Sequence, residues 1–144
     1  VTKKSIQYLF LNNNNITNLN PIINWTNLTD ISIQNNQITE IPNMSKLKNL
    51  KSVNLSNNKI ETLENLAQLP NVEKFQIDNN KLQNLQGIEQ LSNLTILSCS
   101  NNQITDISAL EQLKKLENLN LNKNKLIILI VAYYFYANLH YTLQ

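Results

Sequence analysis

The chain has 144 residues, with twelve basic and ten acidic side chains and a formal charge of +2. That length fits one domain, and a near-neutral chain without a basic stripe excludes an electrostatically driven nucleic-acid binder. One histidine, one cysteine and one glycine leave too little for a zinc site, a glycine-rich phosphate loop or a histidine-based catalytic triad away from His140.

The first element spans 6–27, with apolar residues at Ile6, Leu9, Leu11, Ile16, Leu19, Ile22 and Trp25 and an asparagine, Asn14, inside the pattern. Its opening x-L-x-L has a period of two, which predicts a strand with Leu9 and Leu11 inward and Tyr8, Phe10 and Asn12 outward. Two outward aromatics at one end are either a binding anchor or a surface that a preceding cap covers. The later apolar residues fall every third position, which suits a 3₁₀-like or loosely helical return. Trp25 takes the last apolar slot of that return.

The same frame recurs every 22 residues without insertion or deletion. It gives segments 28–49, 50–71, 72–93 and 94–115, and a partial one at 116–125. A fixed period of this length is the mark of a solenoid. The outward strand positions run Asp30, Ser32, Gln34, then Ser52, Asn54, Ser56, then Lys74, Gln76, Asp78, then Ile96, Ser98, Ser100, then Asn118, Asn120, Asn122. This surface is polar, small and nearly neutral. Eighteen outward side chains fall slightly short of the roughly 20–30 residues a side of a standard interface, which points to a longer array. Tyr8, Phe10, Lys74 and Asp78 stand out as specific contacts.

Asn14, Asn36, Asn58, Asn80, Asn102 and Asn124 fall where each strand bends into its return. A carboxamide both donates and accepts, so it can satisfy backbone groups that lose their ladder partners there. Leucine in its place would orphan buried groups at about 1–3 kcal/mol each. The preceding asparagines, Asn13, Asn35, Asn57, Asn79 and Asn101, suit a turn that needs unusual dihedrals.

The repeated L-x-x-L-x-L-x-x-N-x-I/L, as in LKSVNLSNNKI at 50–60, resembles the leucine-rich repeat, and the resemblance covers about residues 6–125. Its 22-residue length is similar to the short class that includes bacterial internalin-type surface proteins and a regulatory subunit of protein phosphatase 1. The resemblance implies an α/β solenoid, a horseshoe arc with parallel strands on the concave face and 3₁₀, irregular or short helical returns on the convex face. It also implies that the inward asparagines stack as a ladder. The function expected is non-enzymatic binding of a protein partner through the concave face, with no cofactor and no metal. A membrane-associated or surface adhesin or sensor, or a regulatory arm of a larger protein, is the alternative.

Cys99 takes a core slot otherwise given to leucine and reads as a small buried hydrophobe. Cysteine-rich capping modules are absent, which leans towards the cytoplasm, with a bacterial surface or secreted location as the alternative. The chain opens VTKKS without a secretory pattern, and no cap covers the first repeat, so sequence before Val1 is expected. Asn-x-Ser/Thr triplets begin at Asn15, Asn24, Asn27, Asn43, Asn54 and Asn93 and fit chance in so asparagine-rich a chain.

From Leu126 the pattern breaks into LIILIVAYYFYANLHYTLQ. Leu129, Ala132 and Phe135 keep the frame, but positions polar in every earlier repeat turn apolar. Twelve successive apolar residues, 126–137, are too few to span a bilayer. The segment 126–144 reads as a hydrophobic cap or interface, as a membrane-associated tail over 126–143, which is not favoured, or as a diverged end. The array proper is 1–125.

Overall fold

The structure, a computed structural model, describes residues 5–127 and 142–143. Seven short strands form one parallel sheet in sequence order: β1 Tyr8–Phe10, β2 Asp30–Ser32, β3 Ser52–Asn54, β4 Lys74–Gln76, β5 Ile96–Ser98, β6 Asn118–Asn120 and β7 Thr142–Leu143. Every pairing from β1 to β6 joins residues 22 apart, as in Leu9 with Ile31, Ile31 with Val53, and Val53 with Phe75. The last pairing sets Asn118 against Thr142 and Leu119 against Leu143, an offset of 24. The frame read through Leu129, Ala132 and Phe135 lies outside the described residues. The cap, membrane and diverged-end readings of the tail rest on 128–141 and 144, outside the described residues.

The returns are irregular or 3₁₀. Among the described residues 3₁₀ segments form at Asn20–Ile22, Ile88–Gln90 and Ser108–Gln112, and no α-helix forms. Period-three apolar spacing explains this, because residues three apart eclipse on a 3₁₀ turn and can all face one core. Strands sit about 4.8 Å apart through hydrogen bonds, whereas the returns carry bulkier packing, so the stack curves with the strands inside the arc. Gly87, the only glycine, adopts φ +104°, and a Cβ there would lie 2.1 Å from the Leu63 carbonyl oxygen. Only a residue without a side chain fits that approach between neighbouring returns.

One continuous core runs through the stack, from Leu19 and Ile22 to Leu119 and Leu121. Phe75 is its largest fully buried side chain. Cys99 is buried and free, as its slot implies. Burial, reinforced by the negative charge of Asp78, pushes its thiol far above the ordinary range. Trp25 is half-buried against the core edge.

The inward asparagines form the ladder. Asn58 donates from Nδ2 to the carbonyls of Ile33 (3.0 Å), Leu55 (3.0 Å) and Ser56 (3.3 Å), and its Oδ1 accepts the Ile38 N–H (3.0 Å). Asn36, Asn80, Asn102 and Asn124 repeat this pattern, each reaching back one repeat. Asn36, Asn58, Asn80 and Asn102 are buried. Asn14 departs from the expectation. It is exposed and bonds only its own repeat, through the Leu11 and Asn12 carbonyls, because no described rung lies before it. Asn124, in the last repeat, is half-buried and keeps the full pattern of bonds.

A second row holds the turn. Asn13, Asn35, Asn57, Asn79 and Asn101 all take φ between 52° and 59°, and Lys123 occupies the same place at 56°. Asparagine tolerates this left-handed region better than most residues. A third row precedes the strands. Asn49, Asn71 and Asn93 donate across to the carbonyls of Thr26, Lys48 and Pro70 in the preceding repeat.

Candidate protein-binding face

The strands carry the eighteen outward positions in three rows across the sheet. The first row is Tyr8, Asp30, Ser52, Lys74, Ile96 and Asn118, and the second is Phe10, Ser32, Asn54, Gln76, Ser98 and Asn120. The third, just past the strands, is Asn12, Gln34, Ser56, Asp78, Ser100 and Asn122. Most of these side chains are half-buried by their neighbours on adjacent strands. Tyr8 (61 % exposed), Phe10 (65 %) and Ile96 (36 %) are the large apolar groups that this face leaves open.

The third row, with Asn54 and Asn120 of the second, does structural work that outward alternation does not reveal. Where each strand ends, the ladder carbonyls at Leu11, Ile33, Leu55, Ile77 and Cys99 accept from the inward asparagine of the next rung. The backbone N–H groups one residue further on take side-chain acceptors instead. Asn12 Oδ1 accepts from Gln34 N (2.8 Å), Asn54 Oδ1 from Ser56 N (3.0 Å), Ser56 Oγ from Asp78 N (3.2 Å), Asp78 Oδ1 from Ser100 N (2.7 Å) and Asn120 Oδ1 from Asn122 N (3.1 Å). Ser56, expected to face out, is buried at 5 % exposure.

Asp78 is the most heavily engaged of these groups. Its Oδ1 also accepts the hydroxyls of Ser98 (2.6 Å) and Ser100 (2.7 Å), and its Oδ2 accepts the Ser56 hydroxyl at 3.4 Å. Asp30 Oδ2 accepts the Thr29 hydroxyl (2.7 Å). Lys74 differs: its ammonium has no partner among the described residues, and the residue is half-buried. Lys51, Lys114 and Lys123 also lack a side-chain partner among the described residues but are exposed and lie off this face, whereas Lys46, Lys48, Lys59, Lys81, Lys115 and Lys125 each meet an acceptor.

The described residues contain no group of three or more His, Cys, Asp or Glu side chains able to hold a metal ion. None of their helices is long and apolar enough to cross a membrane. A rigid parallel sheet with a polar open face and a few apolar anchors can bind by hydrogen bonds and shape.

These features define a leucine-rich repeat solenoid. The chain belongs to the leucine-rich repeat family: the profile described as "Leucine Rich repeats (2 copies)" matches residues 4–48, 26–68, 48–90 and 92–130. Among solved structures it is similar to an internalin (inlF) from Listeria monocytogenes, with TM-score 0.80 and 34 % identity over 85 % of this chain and 36 % of that one. It is similar to a leucine-rich repeat protein of Leptospira interrogans, with TM-score 0.80 and 37 % identity over 85 % of this chain and 33 % of that one. The functional domain of InlJ from Listeria monocytogenes, described as including a cysteine ladder, matches at TM-score 0.74 and 29 % identity, over 85 % of this chain and 26 % of that one. The chain thus spans about a quarter to just over a third of these relatives. No curated protein matches it in sequence.

Proposed function

We propose that the chain is part of the binding array of a surface-exposed or secreted leucine-rich repeat protein, without catalytic activity of its own, holding a protein partner against its strand face. The observation that carries this reading is the strand face itself. Several of its polar side chains, among them Asn12, Ser32, Ser56, Asp78 and Ser98, are fixed by bonds between neighbouring repeats, so little of their conformational freedom is lost on binding, while Tyr8, Phe10 and Ile96 remain open as anchors. Similarity to internalins supports a surface or secreted location over the cytoplasmic one towards which composition leans.

Surface protease treatment of intact producing cells tests the location: the chain is digested if displayed and survives if cytoplasmic. A photo-crosslinking residue at Gln76 or Ser52, compared with one at Glu64 or Gln86 on the return side, tests the face. Crosslinks confined to Gln76 and Ser52 support the reading. Equal crosslinking from Glu64 and Gln86 overturns it. The pull-down control is Tyr8→Ala with Phe10→Ala and Lys74→Ala. Asp78 stays intact, because it holds the Ser100 backbone.

A further inference from the structure

The charged groups of the strand face are unequally satisfied. Asp78 accepts from three hydroxyls and one N–H, and Asp30 accepts from Thr29. Lys74 sits on β4 between Ser52 and Ile96, which pair with it in register. Neither neighbour accepts a bond from it, and no carboxylate occupies the adjacent position on either strand. Lys74 is half-buried as a residue, and an ammonium with three donors unmet by the described residues loses its water when a partner covers it, so it stays stable there only if the partner supplies an acceptor, best an anion.

The apolar anchors frame this cation. Ile96 lies one strand from Lys74, about 4.8 Å away, and Tyr8 and Phe10 lie three strands away on the other side, about 14 Å. An extended chain crossing the strands advances about 3.3 Å per residue. We propose that the partner presents an extended protein segment whose carboxylate meets Lys74, with an apolar side chain one or two residues to one side resting on Ile96. An aromatic or aliphatic side chain about four residues to the other side rests on Tyr8 and Phe10. This inference rests on the strand face being the binding surface and specifies the chemistry that it selects.

The test is selection of a random twelve-residue peptide library on the folded 144-residue chain. The best peptide is then titrated by fluorescence polarisation. Enriched peptides are expected to carry Asp or Glu with apolar residues at the two spacings. Lys74→Glu is expected to weaken binding at least tenfold, and replacing the peptide's acid by lysine is expected to restore binding to that variant. Lys114→Glu, an exposed lysine off the strand face, is expected to leave affinity within twofold. Circular dichroism confirms that each variant stays folded. Binding that depends on Tyr8 and Phe10 but not on Lys74 overturns this inference and leaves the strand face standing. Binding indifferent to every strand-face substitution overturns both. A library without binders, or with binders lacking an acid, overturns the inference.

Discussion

Replacing Asn58 by leucine isolates the ladder's contribution, because the consequences can be followed atom by atom. The three carbonyls it serves each keep another donor: Ile33 O retains Asn36 Nδ2, Leu55 O retains Asn80 Nδ2, and Ser56 O retains the Asn35 N–H. The Ile38 N–H has Asn58 Oδ1 as its acceptor and nothing else among the described residues. The loss is therefore one buried orphan donor, about 1–3 kcal/mol, plus weakened acceptance at three carbonyls, for a total of about 3 kcal/mol. With a urea slope of about 2 kcal/mol/M, the midpoint falls by about 1.5 M. Asn14→Leu removes the same chemistry from an exposed rung with two own-repeat bonds, and stability should change by less than about 0.5 kcal/mol. Far-UV circular dichroism follows the whole stack, and Trp25 fluorescence follows its first turn. Asn58→Asp adds a pH test. Burial against three carbonyls raises the folded-state pKa of the new carboxyl, so the variant loses stability as pH rises above the unfolded value of about 3.9. Equal costs at positions 14 and 58, or an Asn58→Leu midpoint within error of wild type, would refute the reasoning.

Gly87→Ala forces a Cβ against the Leu63 carbonyl at a positive φ, and urea melts should show a loss of at least about 2 kcal/mol. Lys123→Asn relieves a lysine held at φ 56° and should gain up to about 1 kcal/mol in the same assay. Because Cys99 is held protonated in the fold, the unfolded state alone releases its proton as pH rises past about 8.5. Stability then declines with pH, by at most about 1.4 kcal/mol per unit, and the decline should be shallower in Cys99→Ala. Thiol labelling of the native chain at pH 8 should track global unfolding, and fast labelling without unfolding would contradict the burial.

Much of this architecture was legible because its signals are periodic. Leu9, Ile31, Val53, Phe75, Leu97 and Leu119 recur at one spacing, so register and inward side follow from counting, and the strands pair accordingly. The turn asparagines were legible because few residues tolerate their dihedrals. What escaped depended on neighbours along the stack rather than on position within a repeat. Asn14 carries the same letter as Asn58 but has no described rung to reach back to. The third asparagine row, Asn49, Asn71 and Asn93, shares the 22-residue period and was open to the same counting. The offset of 24 at β7 has no such signal, since an apolar run in the sequence does not mark where a strand begins.

The candidate face was harder to read because alternation assigns a direction, not a task. Ser56 and Asp78 alternate outward like Ser52 and Lys74, yet they close the hydrogen bonding of Asp78 N and Ser100 N. Such residues change stability and binding together, so an alanine scan would score Asp78 as a contact even if no partner touched it. Lys74 and Ile96 lie on the same sheet without that burden. A substitution there that lowers affinity while leaving the urea midpoint unchanged reports recognition, whereas Asp78→Ala should lower both, by about 1–3 kcal/mol in stability for the orphaned Ser100 N–H. If Asp78→Ala instead keeps wild-type stability, the N–H groups past the strands are satisfied by water, and the face is less preorganised than its hydrogen bonds imply.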